Sequence, residues 1–164
     1  MIITDRGIEL IKKFEGFSAK PYLCAAGVPT IGYGSTYYEN GVSVSLKDSE
    51  ITEEWAEELL LSTLDVYEKA INSMVISHIS QNQYDALVSF VYNVGVTNFK
   101  KSSILKIVNV DPNDPKIATE FGRWVRANGK IIKGLVKRRQ LEAELYFAHN
   151  IADPLNINSI DEFA

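Results

Sequence analysis

Two periodicities of hydrophobic and polar residues predict the elements of this chain, and the first is helical. Ile8, Ile11 and Glu15 lie at helical spacing, and Thr4 or Asp5 can cap the start of the segment. The pattern predicts a short amphipathic helix that ends near Glu15. Seven residues, almost two turns, separate Ile8 from Glu15, so the carboxylate projects from the apolar side of the helix. This is an unusual place for a charged group.

The second pattern occupies residues 17–44. Short runs rich in Val, Ile, Thr and Tyr alternate there with turn residues, which is typical of β-hairpins. The turn residues are Gly27, Pro29, Gly32, Gly34 and Gly41. We expect a small antiparallel sheet in this segment.

Helical spacing returns in the rest of the chain. Thr52 is a candidate N-cap for a long amphipathic helix that ends at about Met74. Ser80 and Gln83 have the spacing of a capping box, and the helix that they open stops at Gly95. Because this second helix is apolar on nearly all sides, we expect it to be the central one.

Three more helices are predicted towards the C-terminus. The first covers about residues 103–109, and the second begins at Asp114 and Pro115, which suit a cap and a first turn. We expect this second helix to end at Asn128-Gly129. The last helix covers about residues 134–148.

These elements predict an α+β fold with a small lobe of hairpins, a larger and mostly helical lobe, and a cleft between them. We expect a single domain over residues 1–164, because this length is typical of one domain and the 46% apolar content can form a sizeable core. The β-rich lobe would cover about residues 17–48 and the helical lobe residues 1–16 and 50–149. Residues 150–164 would form a polar tail.

The charge of the chain bears on the kind of ligand that it can bind. A net charge of −4 argues against a nucleic-acid binder that depends on a broad basic face. One local basic stretch occurs at Lys130, Lys133, Lys137, Arg138 and Arg139. Such a stretch forms either a solvated helix face or a site for an anionic polymer, and the sequence leaves both open.

The sequence shows no targeting signal and no metal-binding motif. The N-terminus lacks the pattern of a signal peptide, and no apolar run reaches the roughly 18 residues of a membrane span. We therefore expect the protein to be made, and to accumulate, in a cytoplasm. The single cysteine, Cys24, excludes an intramolecular disulfide. Because His78 and His149 stand alone, we expect no metal and no cofactor.

The spacing of three residues is the most informative feature of the sequence. Glu15 is followed after eight residues by Cys24 and after five more by Thr30, within Thr-Ile-Gly-Tyr-Gly at residues 30–34. This pattern resembles the N-terminal signature of the phage-type lysozymes, the bacteriophage endolysins, in which the middle position is Asp or Cys. Three later blocks resemble the same family in the same order, at residues 81–95, 121–124 and 134–142.

The resemblance implies a lysozyme-like fold with a substrate groove between the lobes. It implies hydrolysis of the β-1,4 bond between N-acetylmuramic acid and N-acetylglucosamine in bacterial peptidoglycan, for lysis of the host cell. A monomer would wait in the host cytoplasm until a separate holin opens the membrane, without stable membrane association of its own.

Glu15 and Thr30 are the first candidates for catalysis. Glycoside hydrolysis needs an acid that is still protonated near neutral pH, and a carboxyl on the apolar side of a helix meets that need. The Thr30 hydroxyl can orient a water on the opposite face of the sugar, and the resemblance implies an inverting reaction.

Cys24 departs from the family members that carry Asp, because a thiol is mostly neutral at pH 7. Three roles stay open: a thiolate that holds the water or the cationic transition state, a covalent nucleophile, or a passive neighbour while Thr30 positions the water.

The resemblance also suggests residues that bind the substrate. Asn93 and Trp124 match positions that line the family's cleft, although core packing is an equally good explanation for Trp124. Either Arg138 or Arg139 matches an arginine that faces the catalytic Glu, and the sequence does not decide between them.

Three other functions compete with hydrolysis. A lytic transglycosylase also uses one Glu but closes an anhydro ring instead of adding water. A cysteine amidase or peptidase would pair Cys24 with His78 or His149. A non-catalytic module would bind the bacterial wall and leave it intact.

Overall fold

The computed structural model describes residues 1–148 and has an α+β fold, as predicted. Its helices are α1 (Asp5–Glu15), α2 (Glu53–Met74), α3 (Gln81–Val94), α4 (Val96–Lys101), α5 (Ser103–Val110), α6 (Lys116–Phe121) and α7 (Lys133–Phe147). Its strands are β1 (Ser18–Leu23), β2 (Pro29–Gly32), β3 (Arg126–Ala127) and β4 (Lys130–Ile131). Within residues 1–148, no helix is long and apolar enough to cross a membrane. His149 and the predicted tail at 150–164 lie outside the described residues.

Side-chain caps fix the starts of α2 and α3, as the sequence predicts. The Thr52 hydroxyl accepts a hydrogen bond from the backbone N–H of Trp55 at 3.2 Å. Ser80 and Gln83 form the complete capping box, because the Ser80 hydroxyl accepts from the Gln83 N–H and the Gln83 side chain accepts from the Ser80 N–H. These bonds satisfy N–H groups that have no partner inside the helix.

Helix α3 forms the centre of the molecule. Ten of its fourteen residues are buried, and it packs against α1, α2, α4 and α7. Phe90 meets the rings of Phe99, Phe121 and Trp124 edge to face, with centroids 5.2 to 6.4 Å apart. Near the start of α3, the buried Asp85 carboxylate accepts hydrogen bonds from the backbone and the hydroxyl of Thr4. The start of α1 is thereby attached to α3.

The N-terminal sheet consists of β1 and β2 in antiparallel pairing, with Tyr22 opposite Thr30. The turn that joins them contains Cys24. At the end of β2, Gly32 has a φ of +63°, and a Cβ atom there would lie 2.9 Å from the Cβ of Ala56. Only glycine therefore allows the hairpin to rest this closely against α2.

The predicted helix end at Asn128-Gly129 is wrong. Helix α6 ends at Phe121, and Asn128-Gly129 is the turn between β3 and β4. Both residues have positive φ, +49° and +76°, as a two-residue type I′ hairpin turn requires. Asn-Gly suits both a helix end and this turn, because each needs the left-handed conformation. The hairpin lies within the segment 50–149 that was predicted as the helical lobe.

Candidate active site

Glu15 is the last residue of α1, and Gly16 ends the helix with a φ of +70°. Ile8 and Ile11 are buried on the apolar side of the same helix. The Glu15 side chain is 22% exposed, so it is mostly enclosed but reaches the surface. The apolar side of the helix is thus buried at Ile8 and Ile11, and at the C-terminal end of the helix it places the Glu15 carboxylate at the protein surface.

A cavity of about 310 Å³ opens beside Glu15. Its walls come from the end of α1, the turn after β2, helix α2 and the end of α3. The lining residues are Glu15, Gly34, Ser35, Thr36, Tyr37, Thr63, Tyr67, Tyr92 and Asn93. Of the predicted site residues, Glu15 and Asn93 line it together. Most of the lining residues carry hydroxyl or amide groups, which suit a polyhydroxylated ligand.

Arg138 is the arginine that meets Glu15. Its Nη1 donates to Glu15 Oε1 at 2.7 Å, across 123 residues of sequence. Its other bonds go to the backbone oxygen of Ser89 at 3.2 Å and to Glu142 Oε1 at 3.1 Å. Only 3% of the Arg138 side chain is exposed, so solvent screens this ion pair weakly.

Arg139 points to another part of the site. It is buried, and its Nη2 donates to Asn93 Oδ1 at 2.6 Å. Its guanidinium also lies over the ring of Phe90, 4.9 Å from the centroid. Arg138 and Arg139 are therefore part of the interior, and neither interpretation of the basic stretch, a solvated face or an open polymer site, holds for these two residues.

Three tyrosines surround Glu15, and sequence reasoning did not find them. Burial raises the pKa of Tyr22, Tyr67 and Tyr92, and the negative charge of Glu15 raises each pKa further. The three hydroxyls therefore stay protonated and can donate hydrogen bonds. Their side chains come from β1, α2 and α3, and no local motif connects those positions.

Thr30 and Cys24 lie on the β1–β2 hairpin. Thr30 is buried, and its hydroxyl donates to the backbone oxygen of Val28 at 2.9 Å. Hydrogen bonds from the backbone at Val28 and Ala26, and a weaker one from Thr30, lower the pKa of the Cys24 thiol. Because the Thr30 hydroxyl has one proton, it serves either Val28 or the thiolate at a given moment.

Tyr22 connects this hairpin to Glu15. The charges of both Glu15 and Cys24 act on its hydroxyl, so Tyr22 is close to both candidate residues. The cavity beside Glu15 is lined by neither Cys24 nor Thr30 among the described residues. The two candidates therefore approach Glu15 from the hairpin side rather than across the cavity.

Trp124 packs edge-on against Phe90, with ring centroids 5.6 Å apart, and is partly buried. Among the residues that the structure describes, those lining the cavity do not include Trp124. Its contact with a sugar stays a prediction.

His78 lies far from Cys24. It is exposed and follows the C-terminal end of α2, whereas the hairpin rests near the other end of this helix. A helix of 22 residues is about 33 Å long, so the two side chains cannot form a catalytic pair. His149, the other partner considered for Cys24, is outside the described residues. Within residues 1–148, no three His, Cys, Asp or Glu side chains are grouped to hold a metal ion.

Comparisons with known proteins identify the family to which the chain is similar. The phage lysozyme family matches residues 12–142 of the chain. The endolysin of Acyrthosiphon pisum secondary endosymbiont phage 1 is 40% identical over 150 residues, which cover 89% of this chain and 98% of that protein. The endolysin of Bacillus phage PZA is 39% identical over 96% of this chain, which spans 58% of that relative's length. A solved structure of a P22 lysozyme mutant aligns with a TM-score of 0.80 and 37% identity, over 90% of this chain and 99% of the other.

Proposed function

The chain belongs to the phage lysozyme family, and we propose that Glu15 is the general acid with which it hydrolyses bacterial peptidoglycan. The enzyme is a muramidase of the endolysin type, which acts on the cell wall of the host, and a lytic transglycosylase is not favoured. The observation that carries the assignment of Glu15 is its position at the cavity edge, bonded to the buried Arg138 guanidinium.

In the proposed reaction, Glu15 gives its proton to the oxygen of the glycosidic bond between N-acetylmuramic acid and N-acetylglucosamine. The bond from that oxygen to the sugar carbon C1 then breaks, and its electrons stay on the leaving oxygen. Glu15 becomes a carboxylate at this moment, and Arg138 Nη1, 2.7 Å away, stabilises the new negative charge. A water adds to C1 from the opposite face, and its proton passes to solvent.

Thr30 and Cys24 have the proposed role of holding that water. The Thr30 hydroxyl both donates and accepts, and the thiolate that the hairpin backbone favours can accept from the water or face the cationic transition state. Because water attacks from the face opposite the acid, the product has inverted configuration. The proposal gives the thiol no covalent role.

Substrate contacts are assigned to Asn93 and Trp124. The Asn93 amide lines the cavity, where it can meet a sugar hydroxyl or an acetamido group, and Arg139 holds it in place. Trp124 offers a flat apolar face for a sugar further along the polymer. The ring packs edge-on against Phe90 and is only partly buried.

The biological setting follows from the endolysin role. We propose that one domain acts as a monomer, that it starts in the host cytoplasm, and that a separate holin opens the membrane to give it access to the wall. Size-exclusion chromatography with light scattering tests the monomer, and lysis of induced cells with and without a holin tests the route.

The decisive experiment is digestion of purified peptidoglycan with the parent chain and Glu15→Gln. We expect reducing muropeptides from the parent and a rate lowered by about 10² to 10⁴ in the variant, the usual contribution of a general acid. Glu9→Gln is the matched control, because Glu9 is an exposed residue of the same helix that pairs only on the surface with Lys12.

Mass spectrometry of the products separates the alternatives. Anhydro products, one water lighter, would indicate a transglycosylase, and new amino groups would indicate an amidase or peptidase. Bound but intact peptidoglycan would indicate a non-catalytic module. Full activity in Glu15→Gln would refute the assignment of Glu15 as the general acid.

A further inference from the structure

Glu142 is a buried carboxylate without a role in the reaction described so far. It lies on α7, four residues after Arg138 and three after Arg139, and its side chain has no exposed surface. An isolated carboxylate is rarely buried, because removing its charge from water is strongly unfavourable. The contacts of Glu142 explain why it is tolerated there.

Each oxygen of Glu142 meets a different arginine. Oε1 accepts from Arg138 Nε at 3.1 Å and from the Ser89 hydroxyl at 2.7 Å. Oε2 lies 3.2 Å from Arg139 Nη1, close enough for an ion pair although not aligned as a hydrogen bond. One carboxylate on α7 therefore holds two guanidinium groups.

The opposite ends of these guanidinium groups point to the candidate active site. Arg138 contacts Glu142 with Nε and reaches Glu15 with Nη1. Arg139 contacts Glu142 with Nη1 and reaches Asn93 with Nη2. A continuous chain of contacts thus joins the acid to a polar wall residue of the cavity through Glu142.

The charges of Arg138, Arg139 and Glu142 also affect the ionisation of Glu15. Arg138 and Arg139 carry two positive charges, and Glu142 compensates one of them. The other is compensated by Glu15, the carboxylate that must be protonated before it can act. The charge on Glu142 therefore determines how much positive charge is left to stabilise the ionised form of Glu15.

We propose that Glu142 is a positioning residue of the reaction, which aligns Arg138 on Glu15 and Arg139 on Asn93 and limits the positive charge that acts on Glu15. This inference rests on the proposed role of Glu15. It goes beyond a structural role, because buried ion pairs contribute little net stability compared with apolar residues of the same volume.

The sign of the effect follows from the groups that face each carboxylate. Glu142 faces Arg138 and Arg139 on α7 and Ser89 on α3. Glu15 faces Arg138, and the three tyrosines near it, from β1, α2 and α3, stay neutral. Replacing Glu142 by Gln leaves two guanidinium groups opposite Glu15 alone, so the ionised Glu15 becomes more favourable.

The experiment is the pH profile of kcat/KM on soluble peptidoglycan fragments for the parent and Glu142→Gln. Activity of a general acid falls on the alkaline side, where it loses its proton. We expect this alkaline limb to move to lower pH by about one unit in Glu142→Gln. We expect KM to rise about fivefold, as for one lost hydrogen bond, because Asn93 loses a fixed partner. Glu142→Asp keeps the charge and should restore most of the profile.

Glu144→Gln is the matched control. Glu144 lies on the same helix, is exposed and bonds with Gln140, so the same change of charge there should leave the pH profile in place. Arg139→Gln should shift the pH profile in the opposite direction. It removes one positive charge, so that Glu142 compensates Arg138 alone and the ionised Glu15 becomes less favourable. The alkaline limb of this variant should therefore move to higher pH. This second variant decides the question if Glu142→Gln does not fold.

The inference is overturned if the alkaline limb of Glu142→Gln coincides with that of the parent, whatever the loss of stability. If Glu142→Gln does not fold, an unmoved alkaline limb in Arg139→Gln overturns it. The same assay distinguishes it from the proposed function. Full activity in Glu15→Gln would refute the role of the acid, whereas an inactive Glu15→Gln beside an unmoved Glu142→Gln profile would refute only the role of Glu142.

Discussion

The surroundings of Cys24 distinguish it from a cysteine on an ordinary surface. It is partly exposed, and the backbone of its own turn donates hydrogen bonds to its sulfur. These donors favour the thiolate and lower the pKa of the thiol. A larger thiolate fraction makes a cysteine more reactive towards electrophiles, because the thiolate is the nucleophile.

We predict that alkylation of Cys24 by iodoacetamide reaches its half-maximal rate at a lower pH than alkylation of an ordinary thiol, which titrates near pH 8.5. The measurement is the alkylation rate as a function of pH, followed by mass spectrometry. The chain unfolded in urea is the control, since unfolding removes the hydrogen bonds of the turn. Identical midpoints for both states would contradict the prediction.

Sequence reasoning reached part of the site because some of its information is local. The helical phase of Glu15 and the spacing to Cys24 and Thr30 are visible in one short segment. The choice between Arg138 and Arg139 is not, because neighbouring residues of a helix point about 100° apart and only the docking of α7 decides which one meets Glu15. The role of Tyr67 depends in the same way on the packing of distant elements.

At the scale of elements, the β1–β2 hairpin depends on its contact with α2. Gly32 and Gly27 both have positive φ, but their surroundings differ. A Cβ at Gly32 would collide with Ala56, whereas a Cβ at Gly27 meets no atom within 4 Å. Substitutions at the two glycines therefore distinguish the effect of backbone strain, which both would have, from the effect of a steric clash with α2, which only Gly32 would have.

We predict that Gly32→Ala lowers the free energy of unfolding by more than Gly27→Ala does. Both variants lose about 1 kcal/mol for a side chain in the left-handed region, and Gly32→Ala loses about 1 to 3 kcal/mol more from overpacking. Urea denaturation measures both values. Activity should also fall in Gly32→Ala, because the displaced hairpin carries Thr30. Equal losses in the two variants would mean that the contact with α2 adjusts freely.

Most elements could be predicted from the sequence, and those with a capping residue had the clearest start signals. The capping residues of α2 and α3 gave their starts correctly. Helix α4, of six residues, was missed because it begins directly after the Gly95 that ends α3. The hairpin at Asn128-Gly129 was mistaken for a helix end because the same two residues serve both structures.

At the scale of the molecule, the net charge of −4 opposes the approach to an anionic wall. Arg138 and Arg139 do not offset this at the surface, since both are buried. The long-range repulsion weakens as salt shortens the Debye length, from about 30 Å at 0.01 M to about 10 Å at 0.1 M.

We predict that the rate of clearing intact peptidoglycan rises as ionic strength increases from about 0.01 M to about 0.1 M. Turbidity of a peptidoglycan suspension measures the rate. Peptidoglycan whose carboxyl groups have been amidated is the matched control, and its clearance should depend less on salt. A rate that falls steadily with salt on the unmodified substrate would show that local attraction outweighs the net charge.

The bond between Glu15 and Arg138 can form only late in synthesis, because its two residues lie on the first and the last described helices. Helix α1 leaves the ribosome early, whereas α7 is the last described helix to emerge. Arg138, which lies on α7, follows Glu15 by 123 residues. A nascent or prematurely terminated chain that ends before α7 therefore presents Glu15 without its guanidinium partner and without the support of Asn93. Only translation through the last described helix brings Arg138 to Glu15, so we expect incomplete products to lack lytic activity.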